Sequence, residues 1–141
     1  MSRSLELTAG EISDVQRSFD LMWSRSGAMV DSFYGRLFEL VPEARELFRE
    51  DMTELKRKFI STLAVIVGSL DDITGLWSVT DKLARDHVKF GVLADHYEPV
   101  GEALLWSLQQ GLGADWTPRV ERAWTKLYAV LSDRMKTAAY C

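Results

Sequence analysis

Apolar residues recur at steps of three and four along nearly the whole of this 141-residue chain, and no stretch of useful length alternates apolar with polar residues. A period near 3.6 lines side chains along one face of a helix, whereas a strand needs a period of two. The chain is therefore expected to be all-α, with six or seven helices. With 47% hydrophobic residues it can bury a sizeable core, and its length suits one domain spanning residues 1–141.

Local signals divide the chain. Thr8 and Glu11 have capping-box spacing, with Leu7 set to staple onto Ile12, and the first helix then runs through Val15, Phe19 and Met22. Gly27 is expected to break it. A second helix from about Ala28 to Leu40 turns Val30, Phe33, Tyr34, Leu37 and Val41 inward, and Pro42 opens a short helical turn toward Leu47 and Phe48. Arg49 to Thr53 reads as a connector. Leu55, Phe59, Thr62 and Ile66 form the next stripe, which ends near Gly68 and the Asp71-Asp72 pair. Leu76 to Phe90 is the fourth long helix, with Leu76, Val79, Leu83, His87 and Gly91 on its inner face. Asp95 and Glu98 again have capping-box spacing and open a helix with Tyr97, Val100, Gly101, Leu104 and Leu108 inside. Gly111 to Trp116 reads as a loop. Thr117 and Pro118 then start a last helix whose core side is Val120, Ala123, Trp124, Leu127 and Leu131.

Lys and Arg number 17 against 21 Asp and Glu, for a net charge of -4, with both signs mixed along every segment. Nothing in that balance favours nucleic acid or an anionic membrane. No apolar run approaches the roughly 20 residues that span a bilayer, and Met1 to Leu7 lack a signal-peptide core, so a cytoplasmic protein without a membrane span is expected. The single cysteine, Cys141, rules out a disulfide framework and reads as an exposed terminal thiol. A phosphate-binding glycine loop, a nucleophile elbow and a His-Glu-X-X-His zinc motif are all absent. With two histidines on different helices, a zinc site made wholly of side chains is hard to assemble.

His87 stands out against this background, an imidazole on an otherwise apolar inner face. It is either a core histidine with its hydrogen bonds satisfied or a ligand. A prosthetic group that carries most of its own donors needs only one such ligand, and haem, with four porphyrin nitrogens, is that case. The stretch Leu-Ala-Arg-Asp-His-Val-Lys-Phe-Gly-Val from Leu83 to Val92, followed by His96-Tyr97-Glu98-Pro99-Val100-Gly101 and on to Trp106, resembles the proximal-histidine helix and the next helix of bacterial globins. Phe33-Tyr34-Gly35-Arg36-Leu37-Phe38 through Phe48 resembles the helix that carries their distal tyrosine and the phenylalanine beyond it. Ala123-Trp124 with Tyr128 to Leu131 resembles their last helix. The likeness covers nearly the whole chain in order and is strongest to single-domain relatives of flavohaemoglobin globin domains.

That resemblance implies a globin fold, six to seven helices around a pocket holding haem b (iron protoporphyrin IX). It makes His87 the iron ligand, Phe48 the wedge flat on the porphyrin, and Tyr34 the distal hydrogen-bond donor. Leu55, Phe59, Leu83, Val92, Val100 and Leu104 become pocket walls, and Tyr97 the tyrosine near the proximal imidazole. Lys58 is either a propionate partner or a solvated lysine. Two positions depart from the pattern: Leu55 stands where relatives often carry glutamine, and about Ala139 stands where catalytic relatives carry a glutamate. The implied activity is reversible binding of O2, CO and NO for oxygen binding, delivery or storage. The alternatives are NO dioxygenation with an external reductase and a haem-based sensor or interaction module. Trp77, Trp106 and Trp116 are candidates for a homodimer patch.

Overall fold

The computed structural model describes residues 7–47, 52–89 and 92–140, the side chains of Leu47 and Tyr140 excepted. Among these residues there are six α-helices and no strand: α1 (Ala9–Met22), α2 (Ser26–Leu40), α3 (Thr53–Gly68), α4 (Ile73–Lys89), α5 (Tyr97–Leu112) and α6 (Pro118–Tyr140). Short 3-10 segments lie at Trp23–Arg25, Pro42–Leu47, Ala94–His96 and Gly113–Asp115.

The caps at the two ends of the chain form as their sequences dictate. Thr8 Oγ1 accepts from the Glu11 N–H at 3.1 Å, and Glu11 Oε1 accepts from the Thr8 N–H at 2.8 Å. Leu7 and Ile12 both join the core. At α6, Thr117 Oγ1 accepts from the Val120 N–H at 3.2 Å, with Pro118 as first helical residue.

Four boundaries differ from expectation. The α1–α2 break is the Trp23–Arg25 turn, and Gly27 lies inside the first turn of α2, where a Cβ would meet nothing within 4 Å. Helix α4 starts at Ile73, because Asp72 Oδ1 accepts from the Gly75 N–H at 3.2 Å and caps it earlier than the apolar stripe suggests. The Asp95/Glu98 box does not open α5. Instead the Leu93 N–H donates to His96 Nδ1 at 3.0 Å, making a 3-10 turn from which α5 continues at Tyr97. Gly111, expected in a loop, is buried within α5, because its lack of a side chain admits Met22, whose Cγ would lie 3.1 Å from a Cβ there. The helix stops two residues later at Gly113, with φ +54°.

Helix α2 lies across α5, while α6 packs against both α4 and α1. Val15, Met22, Met29, Leu76, Leu108, Trp124 and Leu127 are fully buried at the centre. The one indole donor at that depth is satisfied, since Trp124 Nε1 donates to Ser18 Oγ at 2.9 Å and the Ser18 hydroxyl in turn donates to the Val15 carbonyl. The tryptophans proposed for a dimer patch are partly covered. Trp77 lies under the Arg134 guanidinium, Trp106 under that of Arg36, and Trp116 packs on the core.

Candidate functional site: a half-buried imidazole and a buried phenol

Helix α4 does not bury the line expected of it. Its deepest residues are Leu76, Thr80 and Ala84, while Val79, Leu83 and His87 are half-buried. Thr80 and Ala84 are small, which lets α4 approach α6 closely along that line. His87 is thereby rotated to the flank of the buried stripe. Burial still holds its imidazole below the ordinary value of 6.5, with a hydrogen bond to the Leu83 backbone and the charge of Asp86 acting in the opposite sense. The neutral ring retains a lone pair for a ligand.

Tyr97 faces this imidazole, the two ring centroids 6.3 Å apart and the planes inclined at 36°. It is buried with Ala84 and Met135, and Leu83, Val92 and Ala139 border the group. Tyr128 reaches across from α6 and donates its hydroxyl proton to the Tyr97 carbonyl. The approach depends on Gly101, because a Cβ there would fall 2.4 Å from the Tyr128 ring. Burial raises the Tyr128 phenol well above its ordinary pKa, so it remains a donor.

The opposite side is aromatic. Tyr34 is buried on α2, edge-on to Phe33 at 4.9 Å and to Phe59 at 5.8 Å, with Phe38 at 6.2 Å. Phe33 and Phe59 lie 4.5 Å apart and tie α2 to α3. Desolvation pushes the Tyr34 phenol up to about 12, so the hydroxyl keeps its proton at every physiological pH. Leu55, one turn before Phe59, is half-buried and apolar.

Leu104 and Val100 of α5 and Leu83 of α4 pack into the same core as Tyr34, and Leu83 also touches the Tyr97 group. Leu83 thus joins the two sides. Lys58 is exposed; its neighbour Lys56 pairs with Asp31 at 2.9 Å. Phe48, the expected wedge, lies outside the described residues, as do Phe90 and Gly91. Among the described residues no three His, Cys, Asp or Glu side chains converge on a metal-sized site. The donor set on offer is one neutral imidazole within an apolar wall.

Three features of the site were not drawn from the sequence: the Gly101 notch under Tyr128, Met135 beside Tyr97, and the cap made by His96. Gly101 carried a usable signal, since a glycine inside a helix costs about 1 kcal/mol against alanine and usually marks a close approach. His96 is engaged with the Leu93 backbone and belongs to the turn.

The chain is 28% identical over 129 residues to a flavohemoprotein of Vibrio cholerae, covering 89% of this chain and 33% of that protein. It is 32% identical over 109 residues to a flavohemoprotein of Bordetella pertussis, covering 75% of this chain and 27% of the relative. It therefore spans only about a third or less of the flavohemoproteins it matches. A protein named anaerobic nitrite reductase from Physcomitrium patens is 27% identical, with 86% of this chain and 76% of the relative covered. Among solved structures, a hexacoordinated heme protein from an anhydrobiotic tardigrade superposes with a TM-score of 0.87 at 18% identity, covering 96% of each chain, and so shares the fold. The family model described as Globin matches residues 31–135, well over half the length, and with the helical order found above it shows that this chain belongs to the globin family.

Proposed function

We propose that this globin binds haem b and takes up O2, CO and NO reversibly. The observation that carries the reading is a half-buried imidazole, His87, beside one apolar group and a buried, protonated phenol, Tyr34, in a second, the two groups joined through Leu83. A lone imidazole in an apolar wall suits a planar group that brings four donors of its own. His87 would be the iron ligand, its second ring nitrogen oriented by the Leu83 backbone. Leu55, Phe59, Leu83, Val92, Val100 and Leu104 would form the walls, with Phe48 as the wedge. When bound, haem iron supplies an open coordination position for a diatomic gas. The residues do the remainder: the aromatic side excludes water, and the Tyr34 hydroxyl donates to a polar ligand. Such a bond contributes about 1 kcal/mol, which is roughly five- to tenfold in affinity.

NO dioxygenation with an external reductase is the second reading, and the likeness to flavohemoproteins favours keeping it. Against strong catalysis stand Met135 and Ala139, which put apolar groups around Tyr97 where a carboxylate would strengthen the imidazole as an electron donor. No described helix is long and apolar enough to cross a membrane. The absorption spectrum of the purified protein is the test. A Soret band that shifts reversibly on adding O2 and CO to the ferrous form supports the binding reading; a protein that takes up no haem overturns it. Nitrate formed rapidly from NO with a supplied reductase would put the enzyme in its place.

A further inference from the structure

His87 sits where α4 has run out of packing. Ala84 is the last buried residue of that helix; beyond it His87 is half-buried, and Val88 and Lys89 are exposed. The next helix supplies a fixed point nearby. Tyr97 opens α5, is buried with Ala84 and Met135, and has its carbonyl held by the Tyr128 hydroxyl, so its ring is a firm neighbour for the imidazole 6.3 Å away. A short circuit of hydrogen bonds joins the two. The Val92 N–H donates to the His87 carbonyl at 2.9 Å, the Leu93 N–H donates to His96 Nδ1 at 3.0 Å, and the His96 N–H returns to the Leu93 carbonyl at 3.0 Å. Tyr97 follows His96 directly and closes the circuit against the His87 ring. His96 thus does for this turn what a Glu or Gln at the same offset does in a capping box. Packing does not replace it at Leu93, whose side chain is 59% exposed.

We infer that His96 is a positioning residue for His87: its Nδ1 acceptor clasps the turn between α4 and α5 and so limits how the His87 ring tilts against Tyr97. The inference rests on the haem-binding reading and adds to it a determinant of the iron–histidine bond that acts through the backbone. Nδ1 accepts a hydrogen bond only while the ring is neutral with its proton on Nε2, so the clasp demands one tautomer of His96. Released from it, Val92 and Leu93 no longer tie the unpacked end of α4 to the fixed start of α5.

A pair of variants tests the clasp. His96→Ala removes the acceptor, whereas His96→Asn keeps one, because the asparagine Oδ1 is attached through the same two bonds as the imidazole Nδ1. In the apoprotein, hydrogen exchange at the Leu93 amide should be about fivefold or more faster in His96→Ala, the scale of a lost cap, and close to wild type in His96→Asn. With haem bound, His96→Ala should keep its Soret band, broaden the iron–histidine stretching band of the ferrous form, and lose haem to an apoglobin acceptor about fivefold faster. His96→Asn should restore both. A role confined to stability would leave the Raman band unmoved. Two results would overturn the inference while a normal Soret band left haem binding intact: a wild-type Raman band and haem-loss rate in His96→Ala, or a His96→Asn protein that matches His96→Ala in both. A wild-type protein without a Soret band would instead overturn the reading beneath it, with the Leu93 amide still reporting on the turn.

Discussion

The two sides of the proposed pocket are built by opposite means. On the distal side, between α2 and α3, large rings pack on one another, and Tyr34 is fixed by Phe33, Phe38 and Phe59. On the proximal side, between α4, α5 and α6, small residues create the geometry: Ala84 and Thr80 bring the helices together, and Gly101 opens the slot through which Tyr128 reaches the Tyr97 carbonyl. Adhesive aromatic surface tolerates small displacements, because dispersion is spread over many contacts. A notch does not, since one added carbon must move a ring. The proximal side should therefore be the more sensitive to the smallest substitutions.

The largest effect should come from removing the imidazole itself. His87→Ala should abolish stable haem retention, whereas His96→Ala should keep the Soret band and lose only the turn it caps. The reverse result would break the assignment of the proximal side. Acid offers a gentler version of the same test. Burial lowers the folded-state pKa of His87 below 6.5, so beneath that value the unfolded chain binds the additional proton. Apoprotein stability contributed by this group should be level above pH 6.5 and decline as the pH falls below it. Denaturant melts of wild type and His87→Gln across pH 7.5 to about 5 check the sign, and a decline equally steep in the variant would discount the histidine.

Tyr34→Phe should come next, raising O2 dissociation about five- to tenfold while changing CO release little, because the more polar ligand gains more from a phenolic donor. Unchanged O2 release in stopped flow would mean that a different donor holds the ligand. Gly101→Ala sharpens the comparison from the other side. Its Cβ would fall 2.4 to 3.0 Å from three Tyr128 ring atoms, and displacing the ring should cost about 1–3 kcal/mol in urea unfolding. Tyr128→Phe should cost about 1 kcal/mol, and combining it with Gly101→Ala should cost less than the sum if the two act through one contact. Full additivity would disprove the coupling. The smallest effect belongs to Ala139→Glu, at the half-buried margin of the Tyr97 group. With haem bound it should raise the iron–histidine stretching frequency modestly and increase NO consumption with a supplied reductase. No shift in the Raman band would show that a carboxylate there does not act on the imidazole.

Much of the distal side was legible beforehand, since Phe33, Tyr34, Leu55 and Phe59 follow simple helical stripes and their burial agrees with them. The proximal side was legible in its residue types and less so in its angles. His87 was expected on the innermost stripe of α4 and lies on its flank, because the deepest line is decided by which residues allow α6 to come near. That difference concerns rotation of a helix about its axis, which a stripe defines only to within about a residue, some 100° of arc.

What the sequence by itself determined is what forms within a turn or two of chain: the helices, the Thr8/Glu11 and Thr117 caps, and the residue types His87, Tyr34 and Tyr97 of the candidate site. These depend on hydrogen bonds and side-chain spacing between residues three or four apart, which a string of letters preserves. Only the tertiary structure decided that Gly101 receives Tyr128, that Gly111 admits Met22 and continues α5, and that Thr80 and Ala84 form the deepest line of α4. Those outcomes join residues far apart in the chain through close packing, where the fit of one surface into another sets the answer and no local period records it.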